Sequence, residues 1–257
     1  MTFQVLIKIF RTKIYLYINL LTVIVCTFCM SQSFAQEKQK VNYKHLTYLP
    51  KNYNTDTAKY PLVIYLHGGS QKGNDLEKLK IYGLPYLVNK GKDFDFVMVA
   101  PQCPEGRYWS TENWFDSLYD EITSNYRIDK SRVYVTGISM GGYGTYITAL
   151  DHADKIAAIV PLCGGVNDSD TTRICTLKDV PILTYHGTAD NEIPIHETER
   201  IVKSLKKCNG NIIFHRIAGE GHGIQYLYET EPWIYEWLLM QRKTSNNDTP
   251  NKQISNN

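Results

Sequence analysis

The feature that most constrains the fold is residues 133–150, where an apolar segment runs into a glycine-rich turn and then a helical segment. Residues 133–136 are all β-branched or aromatic, which predicts a buried strand. The turn, residues 137–141, reads Gly-Ile-Ser-Met-Gly, and side chains at Gly137 or Gly141 would collide with neighbouring backbone where it closes. The pattern predicts a strained Ser139 whose hydroxyl lies at the tip of a sheet, above a helix N-terminus that favours negative charge. The alternative is an ordinary glycine-rich turn with an incidental serine.

Predicted strands and helices alternate along the rest of the chain. Continuous apolar segments such as residues 60–67 and 96–100 predict strands covered on both faces, as in a parallel sheet. Strands are predicted at residues 41–50, 60–67, 96–100, 133–136, 156–162, 180–186 and 211–217, and helices at 75–89, 112–126, 144–150, 196–207 and 232–240. This alternation predicts an α/β fold with a mostly parallel central sheet and helices on both faces. The connection between strands 156–162 and 180–186 is short, so we expect no large lid and an open cleft.

The first 35 residues predict an export signal. Lys8, Arg11 and Lys13 precede an almost wholly apolar segment, residues 14–30, and small residues follow up to Ala35. We expect cleavage after Ala35 and a protein that is exported, either to the periplasm or out of the cell. An uncleaved membrane anchor is the alternative, because the apolar segment approaches spanning length.

The mature chain is predicted to form one domain. No linker or change in composition divides residues 36–240, and residues 241–257 are polar without periodicity, which predicts a disordered tail. Removing the three basic residues of the export signal from 28 leaves 25, against 26 acidic residues. This near-neutral balance predicts no nucleic-acid partner and no membrane association after signal cleavage.

Cysteine and motif content bear on metals, cofactors and disulfides. The mature chain has no H-E-x-x-H, no C-x-x-C and no G-x-G-x-x-G after the first strand, so we expect neither a metal nor a cofactor. Four cysteines remain, at positions 103, 163, 175 and 208, and export would allow them to oxidise. Cys163 and Cys175 flank one short loop and are the favoured disulfide pair. Four buried free thiols are the alternative.

Two loops at the carboxyl ends of predicted strands could supply partners for Ser139. Asp190 follows strand 180–186, where a carboxylate could orient an imidazole, although a turn aspartate bonding its own backbone is an equal alternative; Glu192 is the fallback acid. His222 follows strand 211–217 among three glycines, a setting suited to delivering an imidazole to a site. The other histidines are weaker candidates for a base; of these, His67 and His186 end strands and are expected to be structural neighbours of the site. Acyl transfer by a serine needs these three groups together.

Donors for a developing oxyanion are also predicted. Met140 directly follows Ser139, and the loop after strand 60–67 offers a second backbone N–H, for which Gly69 is favoured over Gly68 or Ser70. Three further residues, Gln102, Trp109 and Trp114, follow strand 96–100 and are candidates for substrate binding. The alternative for these three is plain packing.

These residues make the chain resemble the α/β-hydrolase superfamily. Triad residues of that superfamily occur along the chain in the order Ser, Asp, His, and Ser139, Asp190 and His222 follow the same order. Within it, the chain is similar to exported bacterial esterases and predicted peptidases akin to carbohydrate esterase family 1, the feruloyl and acetylxylan esterases. The likeness rests on residues 60–69, 100–104, 132–144, 186–190, 221–222 and 237–239. It implies that Ser139 is the nucleophile, His222 the general base and Asp190 its orienting acid. Ester hydrolysis would then proceed through an acyl-enzyme without a metal.

We therefore expect an exported serine carboxylic ester hydrolase. Its substrate would be a small-molecule ester or one attached to polysaccharide, of feruloyl or acetyl type. A serine peptidase of the prolyl-oligopeptidase type is one alternative, disfavoured because such enzymes usually have a large gating domain. A non-catalytic binding module on the same fold is the other alternative; it would be indicated by a missing triad residue, and all three are present.

Overall fold

A computed structural model of the protein describes residues 38–243. The predicted export signal, residues 1–35, lies outside the described residues, as does all but the first part of the predicted tail, residues 241–257. Among the described residues, no helix has both the length and the apolar character needed to cross a membrane.

The described chain is built on a seven-stranded sheet. The strands are β1 (His45–Tyr48), β2 (Tyr60–Leu66), β3 (Val97–Pro101), β4 (Ile128–Ile138), β5 (Ala158–Leu162), β6 (Ile182–Gly187) and β7 (Ile212–Ile217). Their order is β1-β3-β2-β4-β5-β6-β7; β1 pairs antiparallel with β3, and every other pair is parallel. Strands β2, β3 and β5 are almost wholly buried, because helices cover both faces of the sheet. The predicted fold class is confirmed.

Seven helices accompany the sheet in the described chain. They are α1 (Gly83–Asn89), α2 (Trp114–Asn125), α3 (Met140–His152), α4 (Asp168–Thr171), α5 (His196–Lys207), α6 (Leu227–Thr230) and α7 (Trp233–Met240). Short 3₁₀ turns occur at Lys51–Asn54, Gly69–Gln71, Leu76–Ile81, Ile174–Leu177 and Ile224–Tyr226. Buried side chains of α2, α3 and α5 form one core, and those of α1, α6 and α7 form the core on the opposite face. The candidate residues Ser139, Asp190 and His222 lie at the carboxyl edge of the sheet, between these two cores.

The predicted helix at residues 75–89 is divided in the structure. A 3₁₀ turn, Leu76–Ile81, precedes α1, and Gly83, the first residue of α1, has a φ of 76°. The Tyr65 hydroxyl occupies the space that a Cβ at Gly83 would need, so the chain passes this ring closely only because the residue is glycine. The sequence periodicity predicted one helix because it does not register this local close approach.

The favoured disulfide prediction is wrong. Cys175 is bonded to Cys208, while Cys103 and Cys163 are buried free thiols, so the alternative of four free thiols is wrong as well. Cys163 directly follows strand β5 and is buried, whereas Cys175 is exposed and lies beside the end of α5, where Cys208 caps the helix. Cys163 and Cys175 are close in sequence, but the first is buried and the second is exposed, and closeness in sequence did not reveal this difference.

No large lid covers the site in the described residues. The connection between β5 and β6 contains only the four-residue helix α4 and the 3₁₀ turn Ile174–Leu177. The carboxyl edge of β4 therefore faces an open cleft, as predicted.

Candidate active site

The turn after β4 holds Ser139 in a strained conformation. Its φ is 59° and its ψ is −120°, outside the regions that residues with a side chain usually occupy. A Cβ at Gly141 would overlap the Leu66 carbonyl oxygen, and one at Gly137 would lie 2.5 Å from the Gly141 carbonyl oxygen. The Ser139 N–H donates to the Leu162 carbonyl over 3.0 Å, which fixes the turn to β5. Backbone atoms at the end of β2, at the end of β5 and at the start of α3 therefore hold Ser139 in this conformation.

The structure brings Ser139, His222 and Asp190 together. Ser139 Oγ lies 2.8 Å from His222 Nε2, and His222 Nδ1 lies 2.8 Å from Asp190 Oδ2. An ionised carboxylate only accepts hydrogen bonds, so Nδ1 has the proton and Nε2 accepts the serine hydroxyl. The Asp190 side chain is fully buried, and that of His222 is 17% exposed. This arrangement can draw the proton from the serine as its oxygen attacks.

Asp190 fulfils both roles considered from the sequence. Its Oδ1 accepts the backbone N–H groups of Glu192 and Ile193 over 3.0 and 2.9 Å, and its Oδ2 accepts from His222. Burial alone would raise the pKa of Asp190, but the hydrogen bonds from His222 and Ile193 outweigh it and lower the pKa. The carboxylate is therefore ionised and fixed in direction. The fallback acid Glu192 has an exposed side chain, and its carboxylate lies 3.8 Å from His222 Nε2, on the serine side of the ring.

Two residues lie behind Asp190: His186, which was predicted as a structural neighbour of the site, and Cys163, which was not. His186 Nε2 donates to the Ile193 carbonyl over 2.8 Å and lies 3.3 Å from Asp190 Oδ2, while the Cys163 thiol donates to the His222 carbonyl over 3.7 Å. His186 was recognisable only as a strand-end histidine near the acid. These contacts brace the loops that present Asp190 and His222.

The cluster of Cys163, His186 and Asp190 has the residue types of a metal site. Its possible ligand atoms lie within 4.8 Å of one another, and all three residues are buried. His186 Nε2 and both Asp190 oxygens already have hydrogen-bond partners. Burial also raises the pKa of the Cys163 thiol, which disfavours the thiolate that a metal ion requires. We therefore assign these residues to support of the triad.

The predicted oxyanion donors flank Ser139. Met140 is the first residue of α3, so its N–H has no acceptor within the helix. A Cβ at Gly68 would lie 3.7 Å from the Ser139 Cβ, whereas one at Gly69 would meet nothing within 4 Å. Gly68 thus borders the serine directly, and Gly69 begins the 3₁₀ turn that faces the open cleft.

Buried His67 holds the loop that contains Gly68 and Gly69. Its Nδ1 donates to the Gly68 carbonyl over 2.7 Å, and its Nε2 accepts the Cys103 N–H over 2.9 Å. These partners require the neutral ring with the proton on Nδ1. Burial lowers the pKa of His67 to about 4, so the neutral form persists near neutral pH. The Trp109 indole N–H also donates to the His67 carbonyl, over 3.2 Å.

A cavity of about 540 Å³ opens beside Ser139. Trp109, Tyr143, Ile147 and Ile193 supply most of its apolar and aromatic wall. The dimensions and lining suit an apolar group larger than a methyl. Of the three candidates for substrate binding, only Trp109 lines this cavity among the described residues.

Gln102 and Trp114 do not reach the cavity and correct the sequence-based expectation. The Gln102 amide donates to the carbonyls of Gln71 and Asp75 over 2.9 and 2.8 Å, and the side chain is buried. The Trp114 indole donates to the Trp109 carbonyl over 2.9 Å, and its ring packs against that of Trp109. Both residues support the wall from behind because their polar atoms bond to backbone.

Comparison with known proteins identifies the family of the chain. Residues 94–228, more than half of the chain, match the sequence model of a family described as phospholipase/carboxylesterase. The matched segment includes Ser139, Asp190 and His222.

Several of the similar proteins are esterases by name. A bifunctional acetylxylan esterase/xylanase of Neocallimastix patriciarum is 30% identical over 165 residues, which is 62% of this chain and 23% of that protein. Feruloyl esterase D of Neurospora crassa is 27% identical over 180 residues, 63% of this chain and 58% of that protein. The solved structure of a thermostable esterase has a TM-score of 0.65 at 29% identity and covers 77% of this chain and 59% of its own. The chain spans less than two thirds of each of these proteins.

Proposed function

The chain belongs to the phospholipase/carboxylesterase family of α/β-hydrolases, and on that premise we propose that it is a serine carboxylic ester hydrolase. The observation that supports this most strongly is the hydrogen-bonded series Ser139–His222–Asp190, with 2.8 Å at both contacts. Residues 36–240 would be its single catalytic domain. Three side chains from separate loops meet at the strained turn, and this is the constellation that acyl transfer by serine requires.

In the proposed reaction, Ser139 Oγ attacks the ester carbonyl carbon while His222 Nε2 takes the hydroxyl proton. Asp190 keeps the imidazole in the required tautomer and stabilises the positive charge that forms on it. The carbonyl oxygen becomes an oxyanion, which accepts hydrogen bonds from the Met140 and Gly69 N–H groups. His222 then gives its proton to the alcohol oxygen, the carbon–oxygen bond breaks, and the acyl group remains on Ser139.

The second half of the reaction releases the acid. Water enters the open cleft and attacks the acyl carbon, while His222 Nε2 accepts a proton from it. The same two N–H groups stabilise the second oxyanion. Collapse returns the proton from His222 to Ser139 and frees the carboxylic acid.

The proposed substrates are feruloyl or acetyl esters on polysaccharide. The relatives named above include an acetylxylan esterase and a feruloyl esterase, and the cavity beside Ser139 is open and partly aromatic. A volume of about 540 Å³ accommodates a phenolic acyl group, and an acetyl group would leave most of it empty. An aromatic acyl group therefore suits the cavity better.

We also propose that the protein is exported with cleavage after Ala35. The basic start and the apolar segment of residues 1–35 support this proposal. The Cys175–Cys208 disulfide adds support, because such bonds persist in oxidising compartments outside the cytoplasm.

The test of the proposed function is a matched set of variants assayed on 4-nitrophenyl acetate and methyl ferulate. Ser139→Ala is expected to lower kcat by at least about 10⁴-fold, and Asp190→Asn by about 10⁴-fold through loss of the correct tautomer. Ser169→Ala, an exposed serine on α4, is the control and should retain wild-type activity. Full activity of folded Ser139→Ala, or none in the wild type, would refute the assignment.

Assays of the wild-type protein on matched ester and amide substrates distinguish the two alternative functions. A peptidase of the prolyl-oligopeptidase type would cleave an aryl amide about as well as the matched aryl ester, while an esterase would strongly prefer the ester. A binding module would turn over neither substrate. The complete hydrogen-bonded series of Ser139, His222 and Asp190 favours an enzyme over a binding module, which would not require all three residues.

A further inference from the structure

A second recess lies at the same edge of the sheet, on the opposite face from the large cavity. Its volume is about 180 Å³, and it lies between the segment leading into α1 and the segment that follows His222. Its wall consists of aromatic and aliphatic side chains together with one amide and one carboxylate: Ile81, Tyr82, Tyr86, Gln225, Tyr226 and Glu229. The mechanism above assigns no task to these residues.

The recess borders the reacting groups through Tyr82. The Tyr82 hydroxyl lies 3.1 Å from Ser70 Oγ and 2.9 Å from the position that a Cβ at Gly68 would take. That same position is 3.7 Å from the Ser139 Cβ. On the other side, Tyr226 follows His222 by four residues in a short 3₁₀ turn. Ser139 itself lines the large cavity, and the recess approaches the serine through Tyr82.

The two halves of an ester have different requirements at such a site. The alcohol oxygen must lie near His222 Nε2, because that nitrogen supplies the proton on departure. The segment following His222 forms one wall of the small recess, while the large cavity is built mainly on α3 and Trp109. The geometry therefore directs the alcohol half toward the small recess and the acyl half toward the large cavity.

The lining of the recess matches one class of alcohol. Sugar rings present apolar C–H faces that pack on aromatic rings, and hydroxyls that bond to amides, carboxylates and phenols. Tyr226 is 39% exposed, and Ile81 is 66% exposed at the rim. At about 180 Å³ the recess is smaller than the roughly 300–1,000 Å³ of a typical ligand pocket, so it suits one ring and not a longer chain.

We propose that the recess formed by Tyr82, Tyr86 and Tyr226 is a subsite for the sugar ring that bears the ester. This inference rests on the proposed ester hydrolase function and extends it to the leaving group. The polymer would continue from the ring into solvent past Ile81, the most exposed large apolar side chain of the wall.

The test compares two substrates that share an acyl group and differ in the alcohol: methyl ferulate and a feruloylated arabinoxylo-oligosaccharide. Tyr226→Ala is expected to lower the ratio of kcat/KM for the oligosaccharide ester to that for the methyl ester by roughly tenfold, mainly through KM. Trp233→Ala is the matched control, because this aromatic side chain is also 39% exposed and lies outside the recess. Its ratio should equal that of the wild type.

The outcomes separate this proposal from the function on which it rests. The subsite is overturned if folded Tyr226→Ala leaves this kcat/KM ratio unchanged. It is also overturned if the loss of kcat/KM in Tyr226→Ala changes with the acyl group rather than with the alcohol. Absence of ester turnover in the wild type overturns the enzymatic proposal instead. In that case the same arabinoxylo-oligosaccharide without its feruloyl group is titrated by NMR into the Ser139→Ala protein. Saturable binding that Tyr226→Ala weakens supports the subsite, and no binding overturns it.

Discussion

His67 makes the folding stability of the protein sensitive to mild acid. The ring is fully buried, its Nδ1 donates to the Gly68 carbonyl, and its Nε2 accepts the Cys103 N–H. A proton on Nε2 would face the Cys103 N–H and abolish that hydrogen bond. Burial accordingly lowers the pKa of His67 from 6.5 to about 4 in the folded protein.

The magnitude follows from linkage between proton binding and folding. Between pH 6.5 and pH 4 the unfolded chain binds a proton at His67 and the folded protein does not, so stability falls as the pH falls. The full difference corresponds to about 3 kcal/mol, reached below pH 4, and about 2 kcal/mol of it is lost between pH 8 and pH 5. Above pH 6.5 both states are neutral at this residue, and its contribution is constant.

The assay is urea unfolding of wild type and His67→Gln at pH 8 and pH 5. Glutamine keeps a donor and an acceptor but does not titrate. The free energy of unfolding of His67→Gln should therefore change about 2 kcal/mol less than that of the wild type between the two pH values. Any constant cost of the substitution cancels in this double difference. Equal pH dependence in the two proteins would refute the reasoning, as would an NMR titration of the folded wild type that places the His67 pKa above 6. The NMR titration also serves if the variant does not fold.

Two further predictions concern the turn and the disulfide. Gly141→Ala is expected to destabilise the protein by more than about 4 kcal/mol or to prevent folding, because the added methyl overlaps the Leu66 carbonyl. The measurement is thermal unfolding. The control is Gly223→Ala, which has space for a Cβ and should unfold close to the wild-type temperature. The double variant Cys175→Ser, Cys208→Ser is expected to lose about 3–4 kcal/mol, since the bond closes a loop of 33 residues. Dithiothreitol should lower wild-type stability by the same amount and leave the double variant unchanged; an effect on the variant would contradict this explanation.

Much of the fold was predictable because the signals were local. Helix α5 has the predicted bounds, 196–207, since Ile201, Val202 and Leu205 fall on one face and Asn209 and Gly210 stop it. The meeting of Ser139, Asp190 and His222 was also predictable, because carboxyl ends of parallel strands share one edge of a sheet. Each of these expectations depended on spacing along the chain.

Features that depend on which way a side chain points were not predictable. Gln102 and Trp114 occupy a plausible loop, yet both turn inward to backbone carbonyls. Cys163 is near Cys175 in sequence, but one directly follows a buried strand and the other is exposed. The support that His186 gives to Asp190 likewise required the folded positions of two loops. No periodicity in a single sequence encodes these directions.

The position of β7 has a consequence for how the protein responds to heat. It is the last strand of the sheet and pairs only with β6 among the described strands, yet the segment that follows it supplies His222. Releasing this border strand requires less free energy than melting the six others. Warming should therefore abolish the proposed ester hydrolysis while most of the secondary structure persists, and cooling should restore it.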